Sequence, residues 1–166
     1  MKKLLSTILI AACALTLFAC KTAPDVSGQI KAAFNAPFEY QISTQNFEFG
    51  YSKTPEKTVM TLTGPETLKG LAVTKTPSGV TASYDDLVVT MPENTVQKLL
   101  MLDTITEKAL AAADSGEYAV NADGENAVFM FISGDDVYSV TLNAEGKPVS
   151  ASAETGGRTY SYQFVQ

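Results

Sequence analysis

The chain has 166 residues, with 12 Lys and Arg against 18 Asp and Glu, a formal charge of −6, and no His or Trp. That length fits one domain or a small pair. Without histidine, imidazole metal sites, His general bases and Ser-His-Asp or Cys-His nucleophilic sites cannot be built from this chain alone. The acidic balance excludes a broad nucleic-acid surface, which needs clustered Lys and Arg to neutralise phosphates.

The first residues, MKKLLSTILIAACALTLFACK, have the three parts of an export signal. Lys2 and Lys3 give the positive end, an apolar stretch runs from Leu4 to Ala19, and small Ala19 precedes Cys20. A transmembrane anchor of similar length is the competing reading. The polar interruptions at Ser6, Thr7 and Thr16, and the polar chain beyond Cys20, favour cleavage.

Leu17-Phe18-Ala19-Cys20 resembles the lipobox of bacterial lipoproteins. The resemblance implies loss of residues 1–19, a diacylglyceryl thioether on Cys20 and often an acylated new amine. Several acyl chains hold a protein to a membrane firmly, each buried methylene being worth roughly 0.8 kcal/mol. Cys13 leaves with the signal, so the mature chain has no free thiol and no internal disulfide. Without Lys2 and Lys3, ten basic side chains face 18 acidic ones, a balance of −8. Anionic lipid repels such a surface, which leaves membrane attachment to the anchor.

Residues 20–28 read as the lipidated cysteine and a short polar spacer, and 29–166 as a single β-rich domain. Gln29 to Asn35 can form one or two helical turns. After Pro37 the apolar period becomes two: Phe38, Tyr40 and Ile42, then Phe47, Phe49 and Tyr51, as one long strand or two. Strands follow at Thr58–Gly64, Leu68–Thr74, Val80–Tyr84 and from Leu87 to Met91, a spacing that indicates an antiparallel meander.

One helix interrupts the strands. Asn94 can cap it with Gln97 as its partner three residues on, and Val96, Leu99, Leu100, Leu102, Ile105, Ala109 and Leu110 form a wide apolar stripe. Asp103 and Thr106 alone roughen that side. The helix stops at Asp114-Ser115-Gly116, where glycine can take a positive φ. Short strands then resume, ending in Arg158–Val165, where Tyr160, Tyr162 and Phe164 share one face. In Val128–Ile132 both faces are apolar, the pattern of a central strand.

Thr63–Leu71 and Val80–Leu87, with their Pro-containing turn, Leu-x-Gly and Tyr-Asp-Asp-Leu hairpin, resemble the LolA/LolB-like lipoprotein-localisation superfamily, above all its small Gram-positive members. That resemblance implies an incomplete barrel with an apolar concavity, closed by helix, that can hold acyl chains.

The acidic pairs Asp85-Asp86, Asp123/Glu125 and Asp135-Asp136 read as solvated turns. Asn121–Glu125 lacks the glycine position and the twelfth-position glutamate of a calcium loop. No Ser-x-x-Lys occurs in the mature domain, and nothing sets two carboxylates across a cleft as glycoside hydrolysis needs. The chain therefore reads as a non-enzyme without cofactor or metal.

The expected fold is α+β: a curved, mostly antiparallel sheet, an incomplete barrel, covered by one long amphipathic helix. The expected function is a lipid-anchored envelope protein binding an acyl chain or lipid between sheet and helix. Phe47, Phe49, Tyr84, Leu99, Met101, Ile105, Phe129 and Phe131 are its candidate lining, and residues of these types, each taken alone, are more often plain core. The alternative is a structural or protein-interaction surface lipoprotein with a solid core and no ligand pocket. The expected partners are a membrane through the N-terminal lipid, a hydrophobic ligand and an envelope protein, and not nucleic acid. The expected location is the bacterial envelope, outside the plasma membrane or at the outer membrane.

Overall fold

Helix α1, Val26–Phe34, opens on Asp25, whose carboxylate accepts the Gly28 N–H at 2.9 Å. The computed structural model describes residues 25–165. The expected signal peptide, Cys20 and most of the spacer lie outside the described residues, as do the side chains of Glu93, Asn94, Lys98 and Leu99. The helix begins three residues before Gln29 and takes in the end of the expected spacer. Its buried residues, Val26, Ile30, Ala33 and Phe34, recur at helical spacing and pack against a second helix.

Six strands follow as a meander: β1 Phe38–Ser43, β2 Glu48–Lys53, β3 Thr58–Gly64, β4 Ala72–Thr76, β5 Gly79–Tyr84 and β6 Leu87–Met91. Each pairs antiparallel with the next. The long early run is thus two strands, turned at Thr44, whose hydroxyl accepts the Phe47 N–H at 3.0 Å. The strand expected from Leu68 starts only at Ala72, because Glu66–Leu68 forms a 3₁₀ turn. After a second 3₁₀ turn, Glu93–Val96, helix α2 runs over Gln97–Ser115. It stops where expected, on Gly116 at φ 79°. Five strands then form a second meander: β7 Ala119–Asp123, β8 Asn126–Ser133, β9 Asp136–Leu142, β10 Pro148–Thr155 and β11 Arg158–Val165.

The two meanders join where the first strand meets the last. Gln41, Ile42 and Ser43 of β1 lie opposite Val165, Phe164 and Gln163 of β11. The result is one 11-stranded antiparallel sheet ordered β6-β5-β4-β3-β2-β1-β11-β10-β9-β8-β7. This corrects the expected architecture. Among the described residues the sheet is open, with β6 and β7 as edges, rather than a curled incomplete barrel, and two α-helices serve it rather than one. The reason is the pairing of the chain ends: β1 and β11 occupy the middle of the sheet, so β6 and β7 fall at opposite edges and never meet. Strand β8 is likewise not central but next to the β7 edge, which leaves Ile132 exposed on its second face.

One face of the sheet carries the core. Period-two alternation puts Ile42, Phe49, Tyr51, Met60, Leu62 and Val73 of the first meander on it, with Phe129, Phe131, Tyr138, Val140, Tyr160 and Tyr162 of the second. Helix α2 lies nearest β8–β11, and α1 packs on α2. Ser27 Oγ donates to the Ala113 carbonyl at 3.0 Å. Phe34 meets Phe38, Tyr40 and Phe164 at ring distances of 6.1, 6.3 and 6.1 Å, covering the β1·β11 seam.

Candidate functional site

Two polar residues interrupt the buried side of α2, and both have partners. Lys53, Thr58 and Lys75 stand in a row across β2, β3 and β4, since Lys53 lies opposite Thr58 and Thr58 opposite Lys75. All three donate to the fully buried carboxylate of Asp103. Lys53 Nζ reaches Oδ1 at 2.6 Å, Thr58 Oγ1 reaches Oδ1 at 3.0 Å, and Lys75 Nζ reaches Oδ2 at 3.0 Å. Thr106 Oγ1 donates to the Asp103 carbonyl at 2.9 Å, which leaves it to accept from the Tyr51 hydroxyl at 2.9 Å. Lys53 also meets Glu107 at 2.8 Å.

Burial alone would raise the Asp103 carboxyl, but the hydrogen bonds and charges of Lys53 and Lys75 outweigh it and hold it below the usual carboxylate value. Burial, and then the Asp103 charge, push the Tyr51 phenol well above its ordinary value. Burial likewise raises Tyr162. The cluster therefore holds an ionised acid among cations and a neutral phenol, with neither group poised to exchange protons near neutrality. It fastens the helix to three strands. Among the described residues no three His, Cys, Asp or Glu side chains come together to hold a metal.

Most of the expected ligand-lining residues are packed inside. Phe49, Ile105 and Phe129 have no exposed surface, and Met101 and Phe131 are also buried. Phe129 packs on Phe131 at 5.6 Å and on Tyr118 at 4.5 Å, and Phe131 stacks on Tyr138 at 5.3 Å. Leu99 lies on α2, with its side chain outside the described ones. Phe47 is half-buried and lines one surface cleft together with Phe49, and Tyr84 is exposed.

Apolar surface is displayed elsewhere. On the β5–β6 hairpin, Tyr84, Leu87 and Val89 share the core-bearing face beyond the reach of α2, at 43%, 64% and 46% exposure. Val88, on the other face, is 66% exposed. β6 is also an open edge. Sequence reasoning included Tyr84 but passed over Leu87–Val89. Their alternation signalled a strand, and nothing local signalled that the helix would miss them.

Several clefts indent the surface, two of them beside β4 and β11. One, of about 500 Å³, lies where α2 meets both meanders, between Lys75 of β4, Thr104 and Lys108 of α2, and Asp136, Tyr138 and Thr155. Its lysines are engaged: Lys75 on Asp103, and Lys108 on Ser133 Oγ at 2.8 Å and over the Tyr138 ring at 4.8 Å. The other, of about 630 Å³, lies between the Thr44–Phe47 turn and the start of β11.

No family model matches the chain, and none of the curated proteins does. Among solved structures, the chain is similar to the crystal structure of a LolA-superfamily protein from Nitrosomonas europaea, at 10% identity and a TM-score of 0.38, covering 82% of this chain and 75% of that one. That is a weak, partial structural similarity over most of the chain.

Proposed function

We propose that the protein is a lipid-anchored surface protein of the bacterial envelope that works by contacting another protein, with a solid core rather than a ligand pocket. One observation carries the reading. The space between sheet and α2 is filled by side chains without exposed surface, Phe49, Leu102, Ile105 and Phe129 among them, while exposed apolar side chains lie outside and cluster on β5–β6. An acyl chain between sheet and helix would have to displace those side chains. The lipobox resemblance at Leu17–Cys20 supports the anchor, and residues 29–166 form the contacting domain.

Native mass spectrometry of the full chain, released from detergent, tests the core. The expected spectrum holds the protein with its covalent lipid alone, and one retained non-covalent lipid per chain overturns the reading. Radioactive fatty-acid labelling that survives Cys20→Ala would dispose of the anchor. A photo-crosslinker at position 88 in intact cells is expected to give a discrete protein adduct, and labelling of lipid alone would count against a protein partner.

A further inference from the structure

Strand β11 is paired unequally on its two sides. Against β10 it is in register from Arg158, opposite Thr155, to Gln163, opposite Ser150. Against β1 its register ends at Gln163, opposite Ser43, because β1 turns away at Thr44. Among the described residues no strand lies against that side of Arg158–Tyr162, five residues or ~17 Å of β-edge at about 3.4 Å each. Unlike β6 and β7, this edge is inside the sheet. It forms one wall of the 630 Å³ groove, with the Thr44–Phe47 turn as the other.

The groove carries a charge preference. Arg158, at its far end, is the only arginine in a chain of net charge −6. It is exposed and makes no ion pair with any described residue, whereas Lys31, Lys53, Lys69, Lys75 and Lys147 each meet a carboxylate. A planar guanidinium suits a carboxylate, which it can grip with two parallel hydrogen bonds.

We infer that the β11 edge at Arg158–Tyr162 is a β-augmentation site for an extended segment of a partner protein that places a carboxylate opposite Arg158. The inference rests on the protein-contact reading and adds to the β5–β6 surface a second contact with a stated partner chemistry. An antiparallel segment follows the track β1 would have taken beyond Ser43. Its first residue lies opposite Tyr162 and its last opposite Arg158, so its C-terminal end meets the guanidinium. Directly opposed residues share a face with Cβ atoms about 5 Å apart. The last residue is therefore Asp or Glu, and the one opposite Tyr160 is apolar, facing the side of the groove that holds Phe47. Backbone pairing supplies binding and these two positions supply selection.

The test uses the full chain in detergent and a fluorescent, amidated Thr-Ser-Val-Ser-Glu peptide, with a version ending in Lys as its control. Anisotropy is expected to show saturable binding of the Glu peptide at least tenfold tighter than the Lys peptide. Arg158→Glu should invert that order. Amide exchange at Arg158–Tyr162 is expected to slow when the Glu peptide saturates. Equal binding of both peptides, or none, overturns the proposal. Protection that appears without peptide and grows with protein concentration overturns it in favour of a second copy of the chain. Slowing at Leu87–Met91 alone overturns the proposal by confining the contact to β5–β6, and leaves the protein-contact reading standing. A retained non-covalent lipid would overturn that reading whatever the peptides do.

Discussion

Helix α2 faces the two meanders in different chemical terms. The second meander, β7–β11, lies nearest to it and receives it mainly with buried rings and methyls, Phe129, Phe131, Ala151 and Ala153 among them. The first, β1–β6, adds to buried side chains such as Phe49 and Met60 an ionic grip, the row Lys53, Thr58 and Lys75 on the carboxylate of Asp103. Apolar packing is strong but non-directional, and it would tolerate a helix displaced by one turn. The ionic row would not, since a 5.4 Å slip takes Asp103 away from all three donors. The difference teaches a division of labour, with apolar packing shared by both meanders and helix register set by the first.

That division can be broken at several strengths. Phe129→Ala removes a fully buried ring from the packed side and is expected to cost about 3–5 kcal/mol in chemical denaturation. Asp103→Ala removes the buried carboxylate that three donors share beneath the helix and should cost about 3 kcal/mol. The triple change Lys53→Met, Asp103→Leu, Lys75→Met replaces the ions with apolar volume and should recover most of that loss. A triple variant as unstable as Asp103→Ala would show that the row supplies stability as well as register.

Acid sharpens the same contrast. The folded Asp103 carboxyl is held below its ordinary value near 3.9. The unfolded chain therefore takes up its proton first, and the stability Asp103 contributes is full above about pH 5 and lost as pH falls through the folded value. The stability gap between wild type and Asp103→Asn, read from urea midpoints, should narrow steadily below about pH 4. A constant gap down to pH 2 would contradict the assignment. Gly116→Ala strains the left-handed stop of α2 and should cost about 1 kcal/mol wherever the helix is anchored. Glu107→Gln, half-exposed at the rim of the row, should change stability by no more than about 0.5 kcal/mol.

How much of this was legible in the sequence follows from distance along the chain. Alternation marked β11 to the residue, and Gly116 marked the end of α2, because both signals are local. Helix α1 was read short at its start, since Ser27 and Gly28 dilute the periodicity and the cap at Asp25 is a single side-chain bond. Asp103 and Thr106 stood out as blemishes on an apolar stripe. Their meaning did not, because Lys53, Thr58 and Lys75 lie 50, 45 and 28 residues away. The open sheet was illegible for the same reason, carried to its limit: its topology is decided by pairing between the first strand and the last. The β11 groove follows from where β1 turns away, which no residue of β11 encodes.

The seam between β1 and β11 also sets an order of events. Each meander closes through neighbours in sequence and can form early, whereas three pairs joining residues 41–43 to 163–165 wait for the whole chain. While the protein is being synthesised from its N-terminus, β1 has no partner on its outer side until β11 arrives. A ribosome stalled before Arg158 would thus hold a half-built sheet with its future centre exposed as an edge, ready to pair with the wrong chain.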